Sequence, residues 1–215
     1  MRGFVAMLLV AACAGRAAAD TAGEPPGKRP GMACTKERVA ELAQRLRERW
    51  SVGELELRCV AGQFGAPGYF IDARGPDDLH RAGILAADGR SDIVPFTDVG
   101  HMMVATSIVG YAAGDLDGDG VDEIVEHWRR SAHGRMGSDN WLVVRKIAGG
   151  KLSRIPGPHV SIYDPVLGRC SAEWKLAPRA LVVTVQSVSE MPPSDCLSPG
   201  VHTFTLKDGA LVKKR

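Results

Sequence analysis

The chain is poor in aromatic residues, carries almost no net charge, and lacks the motifs that mark nucleophilic, redox or nucleotide chemistry. Aromatics make up 6% of its 215 residues, and 27 Lys and Arg against 25 Asp and Glu leave a formal charge of +2. That balance gives no global positive field for nucleic acid and no acidic excess of the kind found in disordered tails. Beyond the N-terminus no apolar run reaches about 18 residues, so no transmembrane helix is expected. There is no G-x-S-x-G elbow, no Walker-type or G-x-G-x-x-G loop and no H-E-x-x-H, and His127 and His133 do not stand at a favoured zinc spacing. Asn140, the single asparagine, is followed by Trp-Leu, so the chain has no N-glycosylation sequon, which fits a bacterial envelope or secreted protein.

What the chain does have is 45% hydrophobic residues, enough to fill a core, with 25 Gly and 13 Pro that call for many turns and short elements. Residues 1–19, MRGFVAMLLVAACAGRAAA, place one Arg before an apolar run and end in small residues, the pattern of an export signal. Two cleavage sites compete. Ala17-Ala18-Ala19 before Asp20 fits a signal peptidase, whereas Val10-Ala11-Ala12-Cys13 resembles a bacterial lipobox that would leave Cys13 acylated. Both readings place the protein in the periplasm, on the outer membrane as a lipoprotein, or outside the cell. Cleavage after Ala19 removes Arg2 and Arg16 and leaves 25 basic residues facing 25 acidic ones.

Five cysteines minus Cys13 leave Cys34, Cys59, Cys170 and Cys196. An even number without a C-x-x-C pair, in an exported chain, favours disulfides over zinc or thiol chemistry. Sequence alone allows three connectivities, and the local one, Cys34–Cys59 with Cys170–Cys196, is expected. Residues 20–33 combine Pro, Gly and charge and read as a flexible lead-in to a single globular domain over 34–215.

From Thr35, Val39, Leu42, Ala43, Leu46 and Trp50 recur at helical spacing, predicting an amphipathic helix over 36–50 capped by Thr35. After Gly53 the pattern turns to strands: 55–59, 69–71, and then near 91–96, 102–111, 123–129, 140–147 and 152–155, with a hairpin through Gly149-Gly150. Residues 76–88 suggest a short helical turn, and Ala180–Val188, Val201–Leu206 and Ala210–Lys213 are further strands. The expected fold class is α+β and β-rich: an N-terminal amphipathic helix packed on one antiparallel, blade-like sheet, with two disulfides.

One segment carries specific chemistry. In 114–127, GDLDGDGVDEIVEH, six carboxylates (Asp115, Asp117, Asp119, Asp122, Glu123 and Glu126) fall within twelve positions. Like charges packed so densely in a turn repel unless a cation or full solvation offsets them. Calcium suits the pattern, because it takes six to eight oxygen ligands in flexible geometry, whereas magnesium retains waters and demands a stricter octahedron. Gly118 and Gly120 supply turn conformations that larger residues resist.

This stretch resembles the calcium loop of FG-GAP/VCBS repeats, the integrin-type propeller element, in a single copy around 107–128. The resemblance implies calcium held by Asp115, Asp117, Asp119 and Glu123 at the first, third, fifth and ninth places, with the Val121 carbonyl at the seventh. The same residues also match an EF-hand loop, with Gly120 sixth and Glu126 as a twelfth-place ligand, but Asp122 stands where that pattern has an aliphatic residue and the preceding segment is β-like. A closed propeller needs about four or more blades, and the weak echo at 87–94 lacks the alternating acids, so only a blade-like unit is implied. The functional expectation is a non-catalytic exported protein in which structural calcium orders 115–126 and supports the adjoining 127–139 loop for a protein or glycan partner. The alternative is a secreted, calcium-supported hydrolase using His127 or carboxylates that sequence does not locate.

Overall fold

A computed structural model describes residues 32–99, 106–131 and 137–214. The export signal, Cys13 and all but the last two residues of the lead-in lie outside the described residues. Helix α1, Lys36–Trp50, starts where the Thr35 side chain accepts a hydrogen bond from the Arg38 N–H. Glu37 in its first turn and Arg47 and Arg49 in its last complement the helix dipole. Ser51, in the left-handed region at φ 54°, ends it.

Four strands follow as an antiparallel meander: β1 (Glu56–Gln63), β2 (Pro67–Arg74), β3 (His80–Ala86) and β4 (Asp92–Asp98). β2 is buried on both faces. Tyr69, Ile71 and Ala73 face Leu42 and Leu46 of α1, while Phe70 points the other way and joins Phe64, Ile84 and Val94. Each such aliphatic or aromatic side chain removed from water contributes roughly 1.5–3 kcal/mol. The Cys34–Cys59 disulfide ties the segment before α1 to β1.

Eight more strands form a second antiparallel sheet in simple up-and-down order: β5 (Thr106–Gly114), β6 (Glu123–Ser131), β7 (Ser138–Ala148), β8 (Lys151–Asp164), β9 (Gly168–Ala177), β10 (Ala180–Val188), β11 (Gly200–Lys207) and β12 (Ala210–Lys213). This sheet rolls on itself, bringing β12 against β8 and β5 against β9. Register shifts along β7, between Asn140 and Val143, and along β10, between Val185 and Ser187, mark the irregularities that increase its curvature. Its inner face is an apolar cluster of Leu116, Val125, Leu142, Val144, Leu181, Val183 and Phe204. On the outer face Ile124, Tyr111 and Ala113 meet Phe70 and Ile84 of the first sheet, so the two sheets share a core. The Cys170–Cys196 disulfide joins β9 to the segment leading into β11.

The expected fold class is corrected in two respects. In place of one blade-like sheet, the described residues form two sheets, one of them rolled. Nor is the helix at 36–50 the expected N-terminal amphipathic helix: only Leu42, Ala43 and Leu46 of its fifteen residues are buried, and the rest of its surface is densely charged. β3 and β9 have no counterpart among the expected strands, and β8, expected over 152–155 alone, extends well beyond them for a local reason. β8 runs through Pro156-Gly157-Pro158, residues that conceal a strand in sequence but are accommodated at the irregularity opposite Trp141–Val143. The turn expected within 76–88 is displaced as well, since residues 80–86 are β3.

Candidate functional site

The acidic segment is the loop between β5 and β6, at one rim of the rolled sheet. Leu116, 1% exposed, drops into the inner core and anchors it. The loop's own carboxylates then satisfy its backbone: Asp115 accepts from the N–H groups of Gly118 (2.5 Å) and Gly120 (3.1 Å), Asp117 Oδ1 from Asp119 (3.2 Å), and Asp119 Oδ1 from Val121 (2.8 Å). Gly118 and Gly120 sit at φ 85° and 84°, left-handed values that favour glycine.

Asp122 has a different task from its neighbours. Its N–H donates to the Gln63 carbonyl (2.6 Å) and its Oδ2 accepts from the Gln63 N–H (2.7 Å), clamping the loop to β1 of the first sheet. Burial pushes its carboxyl above the ordinary value, against the bond from Gln63, and the charge of Asp115 adds to the rise. A residue that looked like a departure from a calcium-loop pattern thus serves the contact between sheets.

Carboxylate oxygens of Asp115, Asp117 and Glu123 lie within 4.8 Å of one another. Calcium bonds oxygen at about 2.3–2.6 Å, so one ion of that size can touch all three. Among the described residues this is the one group of three or more His, Cys, Asp or Glu side chains close enough for a single ion. Its donors are oxygen only, which suits a hard cation. Glu123 is buried, Asp115 half-buried and Asp117 solvent-facing. Glu123 Oε2 accepts from the Leu116 N–H at 2.8 Å. Burial pushes Glu123 up to about 7, against that bond and the one from Lys146, with the charge of Asp117 adding to the rise.

Lys146, on β7, is a participant that the sequence pattern does not reveal. The register pairing Ile124 with Arg145 sets Glu123 opposite Lys146. Its ammonium contacts Asp117 Oδ2, Asp119 Oδ2 (2.9 Å) and Glu123 Oε1 (3.2 Å). Burial alone would lower the lysine pKa, but the three carboxylates outweigh it and raise it. Arg179, from the β9–β10 turn, is a second cation at the loop: a Cβ built on Gly118 would lie 2.9 Å from its Nε.

The remaining sequence candidates fall elsewhere. Glu126, the alternative twelfth-place ligand, points to the opposite face of β6, where it accepts from Trp128 Nε1 (2.8 Å) and Arg145 Nε (3.1 Å). The structure does not bring it to the loop carboxylates, because strand alternation separates it from Glu123. The segment from His127 is not a loop: residues up to Ser131 continue β6, Ser138 opens β7, and 132–136 lie outside the described residues. His127 rests edge-on against Trp174, its Nε2 without a hydrogen-bond partner, and burial followed by the charge of Arg129 holds it below the ordinary histidine value. On the outer face of β6 and β7, Trp128 and Trp141 stack at 6.0 Å, flanked by Arg154 and Arg130 over their rings.

A second polar centre also escaped sequence reasoning. Asp72, 2% exposed, accepts from His80 Nε2 (2.5 Å) and from the Tyr111 hydroxyl (2.6 Å) between the sheets. Hydrogen-bond partners 8 and 39 positions away leave no mark in local sequence.

Comparisons with protein-family models, with curated proteins and with solved structures found no match. Among the described residues no helix is long and apolar enough to cross a membrane, and the two disulfides fit an oxidising, exported location.

Proposed function

We propose that this is an exported calcium-binding protein whose loop between β5 and β6 works as an FG-GAP-like calcium loop. Asp115, Asp117 and Glu123 are the side chains best placed to hold the ion, with Asp119 and the Val121 carbonyl completing the set. The observation that carries this reading is the convergence of three carboxylates within the reach of one ion, on a loop whose two flanks are strands. An EF-hand would place helices there. The ion's role is structural: it offsets charge at the rim of the rolled sheet and stiffens the start of β6. β6, β7 and β8 then present the half-buried Trp141, stacked on the buried Trp128, with the exposed Arg130 and Arg154, a surface of aromatic and guanidinium groups suited to a protein or glycan partner.

The test is thermal unfolding with and without calcium. At about 100 times the dissociation constant, calcium is expected to stabilise the parent by roughly 2.7 kcal/mol, with chelator reversing the shift and Asp117→Ala abolishing it. An unchanged melting temperature in the parent sinks the proposal.

A further inference from the structure

We infer that Lys146 is the loop's own cation, and that a divalent ion fills this site only by displacing its ammonium; the lysine therefore sets the concentration at which the site responds. The inference rests on the calcium reading above.

The carboxylate oxygens around the lysine are divided between backbone and ammonium. Asp117, Asp119 and Glu123 each use one carboxylate oxygen on a backbone N–H: Asp117 Oδ1 on Asp119, Asp119 Oδ1 on Val121, and Glu123 Oε2 on Leu116. The other oxygen of each is the one that Lys146 holds. An ion held by Asp115, Asp117 and Glu123 thus competes with the ammonium for the free oxygens of Asp117 and Glu123, and for that of Asp119 where it completes the set. It also needs them closer: calcium bonds oxygen at about 2.3–2.6 Å, whereas the ammonium stands 2.9 and 3.2 Å from those of Asp119 and Glu123.

The exchange is physically open. A lysine ammonium sits on a flexible four-carbon stem and is readily hydrated, and the Lys146 side chain keeps 23% of its surface exposed, so it has a route into water. Its anchor is firm, since Lys146 belongs to β7 and is fixed opposite Glu123 by register. After release the ammonium stays tethered beside the site and competes for return. Two consequences follow. The loop keeps a counterion when no divalent ion is bound, so its fold does not depend on metal, and the affinity for calcium is held down by the contacts that must be broken.

Calorimetric titration of the full chain with calcium chloride, on the parent and on Lys146→Gln, tests this. The variant is expected to bind about ten-fold more tightly, the size that follows from three partly exposed ion contacts no longer having to be broken. It should also melt lower than the parent in chelator and regain the difference in calcium. Equal affinities in parent and variant overturn the displacement while leaving the calcium reading intact. Binding in Lys146→Gln alone upholds the displacement and removes calcium from the native protein's function. Binding in neither overturns both. If Lys146→Gln does not fold, Lys146→Arg keeps a charge with a broader, forked grip and is expected to weaken calcium binding several-fold; an unchanged affinity in that variant overturns the inference.

Discussion

Tyr111 on β5 donates its hydroxyl to Asp72 Oδ2 on β2 at 2.6 Å, so the two sheets share a buried carboxylate. Burial, and then the charge of Asp72, push the phenol above its ordinary range and keep it protonated as a donor. Tyr111→Phe removes that donor while leaving the ring packed on Phe70. A hydrogen bond to a buried charge contributes about 1.5–3 kcal/mol, so urea unfolding should show a loss of about that size. Tyr163→Phe, on a side chain 52% exposed, is the control expected to cost nothing measurable.

The same carboxylate gives a pH dependence with a definite sign. Burial pushes Asp72 up, but the hydrogen bonds from His80 and Tyr111 and attraction to His80 and Arg74 outweigh it, holding the group below its ordinary value. A lowered folded-state pKa adds stability that is complete above the unfolded value of about 3.9 and is lost as pH falls through the folded one. Melting temperatures measured from pH 5 to pH 2 should fall more steeply for the parent than for Asp72→Asn. The variant starts lower at neutral pH and follows a flatter acid limb; parallel curves would remove Asp72 from the explanation.

Gly118 and Gly120 separate backbone strain from crowding. Both adopt φ near +85°, but a Cβ on Gly118 meets the Arg179 side chain, whereas one on Gly120 meets nothing within 4 Å. Gly120→Ala should cost about 1 kcal/mol from the left-handed backbone alone. Gly118→Ala should cost at least as much, and Arg179→Ala in its background should restore any excess. A double-mutant cycle on chemical denaturation measures that coupling.

The disulfides close loops of similar length, 25 and 26 residues apart in sequence. In the chain-entropy model each contributes about 3 kcal/mol. Replacing both cysteines of either pair by serine should therefore lower stability by comparable amounts in the two cases. A double variant as stable as the parent would show that its bridge constrains nothing in the unfolded chain.

Sequence reading was most accurate where the signal is local. Gly149-Gly150 joins β7 to β8 at left-handed φ values of 56° and 72°, as an apolar run interrupted by two glycines requires. The cysteine pairing followed because four thiols in two sequence-near pairs, without metal spacing, leave local closure as the simplest arrangement. It was least accurate where a residue acts against its own propensity. Pro156 and Pro158 hid the continuation of β8 beyond residue 155, and the apolar spacing of α1 gave a periodicity stronger than its actual burial. The site was half legible. Asp115, Asp117 and Glu123 stood out by the density of acids around them, whereas Glu126, the alternative twelfth-place ligand, is turned away by strand alternation.

By itself the sequence determined an acidic loop rich in oxygen donors, a chain able to fill a core, and four cysteines suited to pair. These are properties of composition and near-neighbour spacing, which tertiary contacts do not alter. Only the tertiary structure decided that the strands divide into a four-stranded sheet and a rolled eight-stranded one, that Asp122 serves the seam between them, and that Lys146 stands among the loop's carboxylates. The reason is register. An antiparallel pairing places Lys146 opposite Glu123 from 23 positions away, and no local propensity encodes which residue a strand will face.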